Sequence, residues 1–244
     1  MFISQTNTIA NTTPIVTAGV GSDLPSNMTS SDFSLNYTAA SQILISRLGQ
    51  QININYVAVS AINASEIGIY NGGSSFKTVS VQRNNVVMFI FEPRSFNDLR
   101  IRIVGNGSQN TTVNHVAAGT ALQIPNGGEQ SGYSRNHLTR NIKSRTVTSN
   151  LAAPVASLQQ RSALKGTLNL PNVATSFVEN QWQTLLDYLS AGDVFYITEQ
   201  ADESSESPGS SYACYAPIFS APKTHASTRA LNSLTLGFSS YNGL

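Results

Sequence analysis

The sequence predicts a mainly β protein, with an N-terminal antiparallel β-sandwich followed by a smaller C-terminal β domain that carries one α-helix. Three observations lead there. Short apolar runs rich in Val, Ile, Phe and Tyr recur through the first half of the chain, at the roughly 8–12-residue spacing of sandwich strands. Turn residues separate them, at Asn71-Gly72-Gly73, Glu92-Pro93 and Gly105-Asn106-Gly107. A convincing helical period occurs once, around Trp182.

Taken in order, Gln51 to Ala61 alternates at Ile52, Ile54 and Tyr56 and then fills in with Val57 and Val59. This predicts a strand half-buried at its start and buried on both faces at its end. Phe76 to Val81 alternates again. Val86 to Phe91 is an unbroken apolar run, too short for a buried helix and rich in strand formers, and is expected as a central strand. Leu99 to Val104 reads Leu-Arg-Ile-Arg-Ile-Val, which places Arg100 and Arg102 together on the outer face. Residues 1–124 are therefore assigned to the sandwich. From Pro125 to about Gln160 periodicity fades and arginines cluster, so 125–160 is expected as a basic linker or arm. In 161–244, Ala163 to Leu170 is a strand expected to close at Pro171. Ser176 and Glu179 have capping-box spacing, and Trp182, Leu185, Leu186 and Leu189 form one apolar stripe. Gly192 is a plausible stop, giving a helix over about 176–191. Strands follow at Val194 to Thr198, Tyr212 to Phe219 and Leu231 to Tyr241, with an acidic, Ser-rich loop between the first two.

Composition narrows function. Charged residues are 11% of the chain, while Ser, Thr and Asn together make up about a third. Such a surface avoids self-repulsion and suits a subunit that packs against copies of itself. No apolar run approaches the ~18 residues of a spanning helix. The start Met1-Phe2-Ile3-Ser4 has neither the cationic nor the apolar region of a secretory signal, so synthesis in the cytoplasm is expected. A net charge of +1 argues against a general nucleic-acid binder, and no nucleic-acid or membrane partner is expected. Charge is nevertheless segregated. Gln130 to Val178 holds Arg135, Arg140, Lys143, Arg145, Arg161 and Lys165 and no acid, and Glu179 to Pro222 holds seven acids and no base. Arg135, Arg140, Lys143 and Arg145 facing Asp202, Glu203 and Glu206 of a neighbouring copy would set register in a ring.

Catalytic signals are weak. His115, His137 and His225 lack metal-ligand spacing, and His115 sits in a strand pattern as a core or surface residue. There is no nucleophile elbow and no phosphate-binding loop. Cys214 lies in an apolar strand with no nearby cation to activate it, which reads as a structural thiol. Glu92, Asp98 and Glu129 form no sequential carboxylate pair, and the acidic loop lacks the spacing of a calcium site. No enzyme activity, cofactor or metal is expected. For a sugar, Tyr70 and Phe76 flank the Asn71-Gly72-Gly73 turn and could supply an aromatic platform, whereas Trp182 belongs to the helix stripe.

Two stretches carry a resemblance. Asn55 to Asn63 (Asn-Tyr-Val-Ala-Val-Ser-Ala-Ile-Asn), with Phe89 to Ile103 (Phe-Ile-Phe-Glu-Pro-Arg-Ser-Phe-Asn-Asp-Leu-Arg-Ile-Arg-Ile), resembles the discoidin or galactose-binding-like jelly roll. That resemblance implies a jelly-roll sandwich and a choice between sugar binding, protein binding and scaffolding. The C-terminal order of Leu164 to Leu168, the Trp182 helix, Val194 to Ile197, Tyr212 to Tyr215 and Leu234 to Phe238 resembles virion proteins of tailed bacteriophages, of the distal-tail type. It implies a structural subunit of a tail or baseplate, forming a ring of identical copies that docks other virion proteins. The alternatives are a head–tail connector subunit and a host-glycan-binding module.

Overall fold

In chain order the strands are β1 (Phe2–Ser4), β2 (Ile15–Ala18), β3 (Tyr37–Ala39), β4 (Gln42–Arg47), β5 (Ile52–Ile62), β6 (Ala64–Asn71), β7 (Ser74–Ser80), β8 (Val86–Phe96), β9 (Leu99–Gly105), β10 (Thr111–Gly119), β11 (Ala121–Gln123), β12 (Ile142–Thr148), β13 (Pro154–Arg161), β14 (Leu164–Ala174), β15 (Phe195–Thr198), β16 (Ser211–Phe219), β17 (Lys223–Thr224) and β18 (Leu231–Tyr241). The computed structural model describes residues 1–10, 12–18, 21, 23–30, 32, 35–40, 42–47, 51–81, 86–107, 109–125, 142–148, 154–161, 164–198, 211–224 and 231–241.

The mainly β architecture expected from the sequence is present. A four-stranded sheet, β3-β10-β5-β8, faces a five-stranded sheet, β2-β4-β9-β6-β7, and every pairing is antiparallel. Between them lies a core that includes Ile43, Ile45, Ile67, Ile69, Ile101 and Ile103 from one sheet and Ile54, Val57, Val59, Phe89, Phe91 and Val116 from the other. This is the jelly-roll sandwich. The run at 86–91 is buried as expected, but β8 is the last strand of its sheet rather than a central one. Its open side is covered instead by the C-terminal half, where the Met88 N–H donates to Ser211 Oγ at 3.3 Å.

The C-terminal half builds a seven-stranded sheet in the order β11-β1-β15-β16-β18-β14, with β17 added to β18. Two of its strands come from the first half. Phe2 and Ile3 pair with Gln123 and Leu122 on one side and with Thr198 and Ile197 on the other. The 1–124 and 161–244 units therefore share a sheet. Three-residue strands carry too little periodicity to be seen in sequence, which is why β1 and β11 did not enter the expected division.

The four-stranded sheet is consequently buried on both faces. Tyr56, Ala58, Val86, Met88, Ile90 and Ala117 point away from the sandwich core and pack on Val194, Tyr196 and Ala213. A bulge at Asn55 makes this possible, because the register shifts between Ile54 and Tyr56. Ile52 and Ile54 then share the sandwich core with Val57 and Val59, while Tyr56 turns to the opposite face. The Asn55 amide grips the backbone of Ala121 twice, Nδ2 donating to its carbonyl at 3.2 Å and Oδ1 accepting from its N–H at 2.6 Å.

Two prolines expected to end strands sit inside bulges. The β8 register jumps from Arg94 to Ile90 past Pro93, and the β14 register jumps from Leu170 to Val173 past Pro171. At such positions a missing N–H costs no ladder bond. The helix begins at Thr175 directly from β14, with Ala174 as the N-cap and no side-chain cap, so the expected Ser176–Glu179 box does not form. Thr175–Phe177 is α-helical, Val178–Trp182 is a π-turn closed by the Gln183 N–H on the Val178 carbonyl, and Gln183–Ser190 is α-helical again. The widened turn brings Phe177 and Trp182, five apart, onto the face that also carries Leu185 and Leu189. That face covers the seven-stranded sheet on the side away from the jelly roll, over Ile3, Leu170, Phe195, Ile197 and Leu236. Gly192 ends the helix at φ 82°, as its position suggested. The stretch expected as an irregular linker contains a hairpin, β12 with β13, from Ile142↔Arg161 to Thr148↔Pro154.

Ile3 is fully buried in the helix-side core while its strand bridges β11 and β15. Ile3→Ala is expected to cost about 2–5 kcal/mol. Because the two halves share β1 and the Tyr56–Tyr196 seam, denaturation followed by Trp182 fluorescence and by far-UV circular dichroism should shift together. A fluorescence transition that moves alone would show that the halves unfold independently.

Candidate functional site

The four-stranded sheet is covered on both sides, so among the described residues the broad face of the jelly roll with no sheet packed on it is the outer face of the five-stranded sheet. Strand alternation and register place its side chains in three cross-strand rows: Gln42, Val104, Glu66 and Ser80; then Leu44, Arg102, Gly68 and Thr78; then Ser46, Arg100, Tyr70 and Ser75. The centre of this face is built around Gly68. A Cβ at that position would lie 2.9 Å from Tyr70 Cε2 and 3.2 Å from Thr78 Oγ1. The Tyr70 side chain therefore leans from its own row across Gly68 into the Arg102 row, and glycine is what lets it lie there.

Arg102 is held at three points. Its Nε donates to Gln42 Oε1 at 3.3 Å, its Nη1 donates to the Tyr70 hydroxyl at 3.4 Å, and Nη1 lies 3.8 Å from Glu66 Oε1. The Tyr70 hydrogen bond, aided by the Glu66 charge, raises its already high pKa, so it stays a cation at every working pH. One row along, Arg100 forms a close pair with Asp98, with Nε donating at 2.8 Å and Nη2 at 2.7 Å to Oδ2. Ser46 donates to the other Asp98 oxygen at 3.2 Å. The result is a half-exposed aromatic ring beside two oriented guanidinium–carboxylate pairs and several hydroxyls.

A second polar cluster is sealed in the seam between the halves. His115 Nδ1 lies 2.8 Å from the Tyr196 hydroxyl, with the two rings stacked at 5.7 Å. The Tyr196 N–H donates to Ser4 Oγ at 2.8 Å, and the Tyr56 hydroxyl donates to the Thr6 carbonyl at 2.7 Å. Burial pushes the His115 pKa down to about 4 and the Tyr56 and Tyr196 hydroxyls well up. Buried between the layers, this cluster ties them together. Cys214 is likewise buried, on the helix side, and burial raises its pKa.

The residues proposed from sequence fall in different places. Tyr70 is on the outer face. Phe76 is the extra residue of a bulge, since Ile69 pairs with Lys77 and Tyr70 with Ser75. It packs edge-on against Phe91 at 5.2 Å and Phe96 at 5.6 Å and is capped by the Arg94 guanidinium at 4.3 Å. Tyr70 and Phe76 thus serve different surfaces. Lys143 and Arg145 lie on β12, opposite Gln160 and Leu158. Arg135, Arg140, Asp202, Glu203 and Glu206 lie outside the described residues, as do Glu129, His137 and His225. Glu92 is exposed on the bulged part of β8, and Asp98 is engaged by Arg100. Glu66, Gly68, Gln42 and Thr78 were missed. The outward period of Arg100 and Arg102 was the available signal, but their partners are set by register with strands distant in sequence. Among the described residues no group of three or more His, Cys, Asp or Glu could hold a metal, and no helix is long and apolar enough to cross a membrane.

No protein-family model matches the chain, and no curated protein sequence matches it. Among solved structures it is similar to chitosan-binding module 1 from the chitosanase/glucanase of Paenibacillus sp. IK-5, with 15% identity, 46% of this chain and 98% of that one covered, and a TM-score of 0.37. It is also similar to a carbohydrate-binding module from Clostridium perfringens in complex with GalNAc-β-1,3-galactose, with 8% identity, 43% and 93% covered, and a TM-score of 0.37. A third is a pectin-binding carbohydrate-binding module, with 14% identity, 46% and 92% covered, and a TM-score of 0.36. The likeness is one of backbone arrangement over less than half of this chain.

The buried histidine gives a pH dependence with a definite sign. Folded, His115 stays neutral down to about pH 4, whereas in the unfolded chain it takes up a proton near 6.5. Between these values the unfolded state binds more protons. Stability contributed by the neutral ring is thus fully present above pH 6.5 and falls as pH drops toward 4, by about 3 kcal/mol in all. Subtracting the stability–pH curve of His115→Gln from that of the wild type should isolate this fall. A flat difference curve would mean that the ring is accessible to protons in the folded protein.

Proposed function

We propose that the protein is a non-catalytic carbohydrate-binding module whose site is the outer face of the five-stranded sheet. One observation carries the reading: the Tyr70 ring lies across Gly68 with Arg102, Glu66, Gln42 and Thr78 around it. A sugar ring has an apolar C–H face and a rim of hydroxyls. An aromatic side chain takes the first, and oriented amide, hydroxyl and charged groups take the second.

A second reading, a subunit of a multi-copy particle such as a phage tail or baseplate, is favoured by the β12–β13 hairpin. Among the described residues it pairs with no other strand, an arrangement that suits pairing with a strand of another chain. In that reading the partners are copies of the same chain in a ring and other virion proteins, and native mass spectrometry of the isolated protein reports the copy number. The two readings do not exclude each other.

The test of the first is a glycan panel probed with wild type, Tyr70→Ala and Gly68→Ala. The added methyl at position 68 meets the far end of the Tyr70 side chain, which must lift. Both variants are expected to lose the wild-type hits while melting within a few degrees of wild type, equivalent to about 1 kcal/mol or less. Wild-type binding by Tyr70→Ala, or a panel without hits, removes the reading.

A further inference from the structure

We propose that the ligand of this outer face is an uncharged saccharide chain rather than an acidic one. The inference rests on the glycan-site reading above and adds the ligand's chemistry to it. Its basis is charge compensation. Among the described residues the face carries two cations, Arg100 and Arg102, and two anions, Asp98 and Glu66, and each of these cations sits against an anion. A guanidinium has five N–H donors and a carboxylate about four acceptor sites. Arg100 directs Nε and Nη2 to Asp98, and Arg102 directs Nε to Gln42 and Nη1 to Tyr70, so each pair keeps donors and acceptors for a ligand.

Donor and acceptor held side by side at no net charge complement two neighbouring sugar hydroxyls, one donating to the carboxylate and the next accepting from the guanidinium. A carboxylate or sulfate on the ligand finds the opposite situation, because the attraction of each guanidinium is offset by the anion already against it. Stability does not explain the arrangement. The paired side chains are 34% and 19% exposed in one pair and 39% and 37% in the other, and pairs this open contribute about 0–1 kcal/mol each. The geometry of the row suits a chain rather than one sugar. Arg100 and Arg102 are two residues apart on one face of β9, about 6.6 Å along the strand, and Tyr70 pairs with Arg100 in register while its hydroxyl reaches Arg102. A sugar stacked on Tyr70 has one pair at each end of the ring, and the next sugar extends along the strand.

The experiment compares neutral polymers (galactan, mannan, amylose) with acidic ones (polygalacturonate, alginate, dextran sulfate) by affinity electrophoresis at low and high salt. The proteins are wild type, Tyr70→Ala, Glu66→Gln and the double variant Asp98→Asn/Glu66→Gln. Expected is Tyr70-dependent retention of wild type by at least one neutral polymer, insensitive to salt. Leaving the arginines uncompensated should weaken neutral binding roughly tenfold, equivalent to about 1.4 kcal/mol, and create salt-sensitive retention by the acidic set. The single Glu66→Gln variant reports the same direction if the double variant fails to fold. Tyr70-dependent binding that prefers acidic polymers and fades with salt overturns this inference alone, as do compensation variants that bind neutral polymers like wild type. Absence of Tyr70-dependent binding to either set overturns both the inference and the site.

Discussion

The double burial of the four-stranded sheet is the constraint on which the remaining architecture depends. In β5 every residue from Tyr56 to Ala61 is buried, with alternate side chains entering two different cores. An antiparallel sheet ordinarily keeps one wet face. Here the C-terminal sheet supplies the second cover, so neither half presents a finished surface by itself. Val86, Met88 and Ile90 would otherwise form an exposed apolar stripe at the end of the sandwich, of the kind that promotes aggregation. The short strand β1 secures the cover. Its Ile3 enters the helix-side core, while Ser4, next along, accepts the Tyr196 N–H within the seam.

That arrangement limits which face is left for the proposed recognition. A jelly roll has two broad faces, and this chain uses one of them internally. The seam is rich in groups that elsewhere do chemistry, namely a histidine, two tyrosines and a serine, yet all are enclosed and bonded to one another or to backbone. Their burial moves the His115 pKa to about 4, away from neutrality, the reverse of what proton transfer at neutral pH needs. The five-stranded sheet has the complementary character. The inward residues of its three central strands are mostly isoleucine, which needs nothing from the opposite side. Its outward row is free to carry Tyr70, the arginines and their carboxylates without compromising the core.

What the sequence shows plainly is what periodicity encodes. The two-residue alternation of β9 put both arginines outside, the filled-in end of β5 announced its double burial, and the helix stripe placed Trp182 inside. What it hides is register. Pro93 and Pro171 resemble terminators because a bulge is not visible locally. The Phe76 bulge separates an aromatic pair that sequence spacing puts together. Gly68 looks like an ordinary strand glycine until Tyr70 is seen lying over it, and Arg102 acquires its role from Gln42 and Glu66 on the two neighbouring strands. Such partners are fixed by tertiary pairing and leave no trace in a short window of residues.

The low charge of the chain gives these pairs their weight. With 11% charged residues against roughly a quarter in ordinary domains, four charged side chains gathered on one face of one sheet are a concentration, not a background. Solubility would be served equally well by scattering them, and stability gains little from pairs so open to water. Their alignment with a partly exposed tyrosine, over a glycine that makes room for it, is what the proposed flat ligand with hydroxyls along its rim would require. The exposed, uncharged Ser75, Thr78 and Ser80 on the neighbouring strand would continue that chemistry across the face. On the proposed reading, a surface of this kind would bind through many weak, directional contacts on a platform already in place. Its specificity would then lie in the geometry of the rim, and its tolerance of charge would be governed by Asp98 and Glu66.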